Sequence, residues 1–287
     1  MMTLLVKCEE LMLILEDYRD KNVFKLMDIS IIILNYKSER HLGRCIESLQ
    51  KYLSVISHEI IIVNNDAEPL TSTLPLENLQ IINNPINEGF AKACNRGAKI
   101  SQGKILFFLN PDTEILSGNF TDLVAAFNDS SVGIVSPQLI NTAGAVQPWS
   151  AGYKINLSEV ILNNLGFIRS KKLWKNNLAT APDWISGAAL AINSELFKKI
   201  NGFDENFFMY FEDVDLCKRV KEESLSVSIL PTLKVLHLSG QSSSSLNQQK
   251  KYYYASQDYY FKKHFGLLSL NILRVLRKLM LLLKGQH

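Results

Sequence analysis

Apolar residues follow two rhythms along this chain. Asp28–Leu34 (DISIIIL), Glu59–Val63, Leu79–Ile82 and Lys104–Leu109 are short, nearly continuous apolar runs, the mark of strands buried on both faces. Between the first two, Leu42, Cys45, Ile46 and Leu49 recur at helical spacing, and residues 88–101 read as a second helix. Alternating strands and helices predict an α/β fold with a mostly parallel central sheet and helices on both faces. Further on, Ala188–Ile192 reads as a strand and Glu212–Glu222 as a helix. Thr142–Pro182 is irregular and rich in Asn, Gly and Trp, so it reads as an excursion that caps a site. The expected organisation is an N-terminal helical extension (1–27), a main domain (28–242) and a basic amphipathic helical tail (243–287). The Ser242–Ser245 run reads as a flexible loop, and no internal repeat is present.

In sheets of this kind, ligands bind beyond the carboxyl ends of the strands. Polar clusters stand there: Asn35-Tyr36 after the first run, Asn64-Asn65-Asp66 after the second, Asn110-Pro111-Asp112 after the fourth. Asp112 in LNPDT is either a turn residue or a carboxylate displayed for a hard divalent cation. In NGFDENFFMYFEDVDLCKR, five carboxylates (Asp204, Glu205, Glu212, Asp213, Asp215) lie within twelve positions among five aromatic residues. Burial among such groups raises a carboxylate's pKa and suits it to act as a base, while a helix start at Glu212-Asp213 would favour acids for a structural reason. His237 in HLSGQS is a metal ligand or an ordinary histidine. NEGFAKACNRG offers Gly89 at a helix start, which suits a phosphate, or simple capping by Asn87. No G-x-x-x-x-G-K-[ST], G-x-G-x-x-G or G-x-S-x-G occurs, which excludes the P-loop, the dinucleotide fingerprint and the hydrolase elbow.

Taken in order, SIIILNYKSERHLGRCIESL, EIIIVNND, NPINEGFAKACNRGAKISQGKILFFLNPDTEI, WISGAALAINSELFKKINGFDENFFMYFEDVDLCKRV and VLHLSGQS resemble the family 2 glycosyltransferases, in particular their rhamnosyltransferase-like branch. The likeness runs from about Asp28 to Ser242. It implies a GT-A fold and inverting transfer of a sugar from a nucleoside diphosphate. It implies that Asp112, with Asn110 in the first place of the D-x-D pattern, reaches a Mg²⁺ or Mn²⁺ ion, and that His237 completes that metal site. Asp213, second in Glu212-Asp213, matches the general base. Asn35, Tyr36, Asn64, Asp66, Asn87, Gly89 and Asn95 fall in the segments that hold the nucleotide. Where relatives end the second strand in Val-Asp-Asn, this chain has Val63-Asn64-Asn65, which places base recognition on an amide or on Asp66. Rhamnose is the favoured donor sugar by resemblance, with UDP-galactofuranose and UDP-N-acetylglucosamine as alternatives. The acceptor is expected to be a saccharide or lipid-linked saccharide in bacterial surface polysaccharide synthesis.

Charge adds a location. Residues 250–287 hold eight Lys/Arg and one acid, Asp258, giving that tail about +7 and the rest near −4. With its leucines and the Arg274, Arg277, Lys278 cluster, the tail is expected to lie on an anionic membrane surface or to pack on the domain or a second copy, which leaves homo-oligomerisation open. No run reaches the ~18 charge-free apolar residues of a membrane span. The start shows no secretory pattern, and four scattered cysteines suit a reducing compartment. The expected place is therefore cytoplasmic, peripheral on the inner face of the cell membrane. The net charge of +3 gives no reason to expect nucleic acid. A nucleotidyltransferase would need a glycine-rich basic loop where LNYKSERHLG stands, and a saccharide-binding module would not need Asp112, Asp213 and His237 together.

Overall fold

A computed structural model of the chain describes residues 27–70, 78–175, 181–238 and 245–283. The N-terminal extension lies outside them apart from Met27, as does the serine run apart from Ser245. The first half is a regular alternation of β1 (Met27–Asn35), α1 (Glu39–Tyr52), β2 (His58–Asn64), β3 (Leu79–Asn83), α2 (Phe90–Ile100) and β4 (Gly103–Leu109). β1 to β4 are mutually parallel in the order β3-β2-β1-β4. β1 shows why the run is continuous rather than alternating. Ile29, Ile31 and Ile33 pack with Leu42, Cys45, Ile46 and Leu49 of α1 on one face, and Ile32 packs with Ala91, Cys94 and Ala98 of α2 on the other. Each of these isoleucines is fully buried, worth ~1.5–3 kcal/mol of transfer free energy.

The chain continues through β5 (Thr113–Ser117), α3 (Phe120–Ala125), β6 (Val132–Ile140), β7 (Ala151–Gly152), α4 (Leu157–Asn164), α5 (Lys171–Lys175), β8 (Trp184–Ile185), β9 (Ala189–Asn193) and α6 (Ser194–Lys199). It closes with α7 (Glu212–Glu222), β10 (Ser226–His237) and α8 (Leu246–Leu283). The full sheet has eight strands, β3-β2-β1-β4-β9-β6-β10-β5, while β7 and β8 form a separate small ribbon. β9 pairs antiparallel with both β4 and β6. The reason is local: the Ala188 carbonyl accepts the Asn110 N–H at 2.9 Å, so the chain re-enters at the carboxyl end of β4 and must run back. β5, β6 and β10 carry no clean strand signature in the sequence. Pro137 interrupts β6, Pro231 interrupts β10, and the β10–β6 register shifts between Leu230 and Lys234.

α8 is two helical arms broken at Gly266, whose φ of 80° is open to glycine at little cost. The first arm is built into the main core: Tyr260 and Phe261 are buried in the same apolar cluster as Phe203, Phe207, Phe211 and Leu216. The second arm returns along the first. Arg274 and Arg277 both reach Asp258 at 2.7 Å, Arg277 also stacks over Tyr254, and Leu270 and Leu273 are buried. Two cations of the expected basic cluster are thus paired with the tail's own acid.

Candidate active site

β4 delivers Asn110-Pro111-Asp112 at its carboxyl end, and β10 delivers His237, which pairs in register with Thr113. The Leu238 N–H donates to the Asp112 carbonyl at 3.0 Å, locking the two segments together. His237 Nε2 then lies 3.4 Å from Asp112 Oδ1 and 3.4 Å from Asn110 Nδ2, with both the Asp112 and His237 side chains about nine-tenths buried. His237 Nδ1 faces Gln147 Oε1 at 3.0 Å. In the tautomer that donates Nδ1–H to that oxygen, Nε2 presents a lone pair toward the Asp112 carboxylate. Two acceptors facing each other call for a cation or a proton between them. Among the described residues no group of three or more His, Cys, Asp or Glu side chains converges, so a cation here would have this pair, with the substrate's oxygens completing its shell.

The second centre is at the start of α7. Tyr210 and Phe211 both adopt left-handed backbone conformations (φ 70° and 67°), costing roughly 1–3 kcal/mol each for such residues. The first arm of α8 holds them in place: Tyr253 and Tyr260 pack against Phe211 at 5.4 and 5.3 Å, and Ser256 donates to the Met209 carbonyl at 2.7 Å. The strained turn places Glu212 and Asp213 side by side. Asp213 is half-buried and oriented by two backbone donors, Gly187 N–H to Oδ2 and Val214 N–H to Oδ1, each 2.8 Å. Burial raises its pKa against the pull of those amides. Glu212 is buried more deeply, and burial together with the Asp213 charge pushes its pKa well up.

Two stretches join the centres. Gly187-Ala188 meets Asp213 on one side and Asn110 on the other. Gln147–Ser150 touches His237 at one end and places Trp149 in a cavity at the other. That cavity, about 600 Å³, is walled by the 149–170 part of the excursion, the start of α7 and α8, and includes Glu212 and Asp213.

A third group is a cluster of amides at the ends of β1, β2 and β3. Asn35 Nδ2 donates to Asn64 Oδ1 and to Glu39 Oε1, both at 2.9 Å, while its own Oδ1 is buried without a donor among the described residues. Asn64 Nδ2 donates to Asn83 Oδ1 at 3.0 Å. Asn65, within the expected Asn64–Asp66 segment, is buried and donates to Asn87 Oδ1 at 2.9 Å. Tyr36 is half-buried beneath the Lys37 ammonium, and Asp66 caps its own turn through Ala67 N–H at 2.7 Å. Gly89 does allow close approach, but of the Phe208 carbonyl: an added Cβ would sit 2.5 Å from it. The same carbonyl takes the Phe90 N–H at 2.7 Å, and Asn87 Oδ1 accepts the Gly89 N–H. Asn95 is not brought to this cluster; its amide clasps the Phe203 backbone and Glu205. Gln147 escaped sequence reading because it stands in a stretch with no periodicity.

Comparison with known proteins places this geometry. Residues 30–197 match Glycosyl transferase family 2, and residues 172–239 match N-terminal domain of galactosyltransferase. A low-salt glycan biosynthesis hexosyltransferase of Haloferax volcanii is 25% identical over 219 residues, 74% of this chain and 67% of that protein. An N-acetylglucosaminyl-diphospho-decaprenol L-rhamnosyltransferase of Mycobacterium tuberculosis is 23% identical over 244 residues, 75% and 77% of the two chains. A rhamnosyltransferase of Escherichia coli is 30% identical over 91 residues, 31% of this chain and 34% of that protein. The solved structure of GalNAc-T7 with UDP, GalNAc and Mn²⁺ superposes with a TM-score of 0.55 at 19% identity over 83% of this chain, which spans 50% of that one. TarS of S. aureus in complex with UDP gives 0.51 at 16% identity, covering 82% and 72%. These structural likenesses show the GT-A fold. With the family match covering more than half its length, the chain belongs to glycosyl transferase family 2 and is a glycosyltransferase.

Proposed function

We propose that the protein transfers a sugar, with inversion, from a nucleoside diphosphate sugar to a saccharide or lipid-linked saccharide acceptor in surface polysaccharide synthesis, with Asp213 as the base. The observation that carries this reading is that Gly187-Ala188 bonds both Asp213, in the wall of a cavity, and Asn110, two residues before the Asp112 that faces His237. Asp213 takes the proton of the acceptor hydroxyl as that oxygen attacks the anomeric carbon from the face opposite the diphosphate. Its two backbone donors fix the carboxylate's orientation, and each oxygen keeps a further lone pair. One base and no enzyme nucleophile suffice for a single displacement.

Asp112 and His237, with Asn110 beside them, are the residues that would hold a divalent cation. Such an ion, when bound, offsets the negative charge of the departing diphosphate. The amide cluster of Asn35, Asn64, Asn65 and Asn87, with Tyr36 and Asp66 at its rim, is where the nucleotide would lie. Asn35 Oδ1, buried and unpartnered, is the acceptor best placed to take a donor from the base. Two relatives are named rhamnosyltransferases, and this favours rhamnose as the sugar. The test is a panel of nucleotide sugars, dTDP-rhamnose, UDP-galactofuranose and UDP-N-acetylglucosamine among them, with Mg²⁺ or Mn²⁺ and released nucleotide as readout. We expect dTDP-rhamnose to turn over fastest and a chelator to abolish release. Turnover of a UDP-sugar alone would reassign the donor, and no release from any donor of the panel would exclude all of them.

The same reading places the protein on the inner face of the cell membrane. No helix among the described residues is long and apolar enough to cross a membrane. The second arm of α8 nevertheless turns Leu268, Ile272, Val275, Leu279 and Leu282 outward, each more than two-fifths exposed, with Lys278 on their flank. A stripe of this kind with a basic border suits an anionic leaflet.

A further inference from the structure

The cavity beside Asp213 holds chemistry that proton removal alone does not need. Among the described residues, no lysine or arginine lines it. Arg169 is held by Glu159 at 2.7 Å and lies over the Tyr153 ring. A phosphate brought into these walls would meet Glu159, Glu212 and Asp213, with Arg169 already paired to Glu159, which is electrostatically unfavourable. Aromatic faces are plentiful instead, from Trp149, Tyr153, Trp184 and Tyr210. Two residues of the wall, Glu212 and Asn163, each carry a buried oxygen, Oε2 and Oδ1, that meets no donor among the described residues. An unmet buried acceptor is unfavourable, so each is a place for a donor brought in from outside. A hydroxyl serves Glu212 in either protonation state, because it can donate or accept.

Resting on the transferase reading above, we infer that this cavity is the acceptor subsite for an uncharged sugar residue, whose hydroxyls bond to Asn163 Oδ1 and Glu212 Oε2 and whose C–H face lies on the aromatic wall. Any phosphate, diphosphate or uronic carboxylate of the acceptor stays outside the cavity. Asn163, on α4 of the irregular excursion, is then a residue that selects the acceptor.

The chain supplies its own reporter. It has three tryptophans; Trp149 and Trp184 line the cavity, and Trp174 packs on Trp149 at 4.9 Å. The full-length protein is titrated, without donor, with N,N′-diacetylchitobiose, methyl α-L-rhamnoside, methyl β-D-galactoside, glucuronate and glucose 1-phosphate while intrinsic emission is recorded. We expect a saturable change with at least one neutral saccharide and none with the two charged sugars. Asn163→Leu should weaken the neutral sugar about tenfold or more, the scale of one buried hydrogen bond. Asn163→Ser repeats the measurement should the leucine variant not fold, and a melting curve reports folding for both. The inference fails if no neutral saccharide of the panel perturbs emission, if a charged sugar binds as tightly, or if folded Asn163 variants bind unchanged. Because the titration involves neither donor nor turnover, its failure is distinct from a failure of the donor panel.

Discussion

At the scale of single residues, the two adjacent acids of α7 divide the labour by environment. Asp213 keeps two amide donors and a partly open position, whereas Glu212 is closed in and shares its neighbour's field. Asp213→Asn retains the shape and the hydrogen bond from Gly187 but cannot take a proton. We expect transfer to fall about 10²–10⁴-fold with nucleotide binding kept, measured by turnover and by calorimetry with the nucleoside diphosphate. Turnover near wild type would remove Asp213 from the role. Glu212, its pKa pushed well up by burial and by the Asp213 charge, carries no charge where Asp213 titrates, so Glu212→Gln keeps the neutral form. The acid limb of the kcat/KM profile should therefore stay in place, and a marked move to lower pH would show that Glu212 is charged beside Asp213. Asp112, His237 and Asp213 could be picked out beforehand because each closes an apolar run or sits in an unusual run of acids and aromatics. Gln147 and Asn163 could not, since their positions depend on where an irregular segment comes to rest.

At the scale of elements, α7 is fixed by a buried charge cluster on the side away from the cavity. Asp215 is fully buried and receives Arg219, Lys263 and His264, each at 2.7 Å, the last two from the first arm of α8. Asp215→Ala leaves three cationic or polar partners facing a void. We expect a loss of about 3–5 kcal/mol in chemical denaturation, and a loss under ~1 kcal/mol would show that the cluster rearranges freely. Nearby Asp204 also binds Lys263; burial works against its ionisation, but Lys263 and the Asn206 amide win and hold its pKa at about 2. A depressed carboxylate stabilises the fold above its ordinary pKa, and that stability is lost as pH falls from about 4 toward 2. Near-ultraviolet dichroism of the α8 tyrosines should fade across that window. The alternation from β1 to β4 was legible because both sheet faces are covered, which makes the runs continuous. β6 and β10 were not, because a proline within each hides the strand, and only pairing across more than ninety positions of sequence reveals it.

For the whole molecule, the outward stripe of α8 and the core-bound first arm separate attachment from folding. Replacing Leu268, Val275 and Leu279 together by Gln alters exposed positions, each worth within about 0.5 kcal/mol of stability. We expect release of the protein from sedimented vesicles containing anionic lipid, with the melting temperature little changed. Undiminished binding would defeat membrane placement, and a loss of dimers in its stead would assign the stripe to a second copy. The backward course of β9 has a consequence of another kind. It lies between β4 and β6, so until residue 193 has left the ribosome the first four strands end in an open edge of unpaired amides. β5 must wait longer still for β10, across more than a hundred residues. Synthesis of this enzyme thus passes through a long interval in which a half-built sheet can pair with a neighbouring nascent chain, and the strand order alone predicts slow maturation.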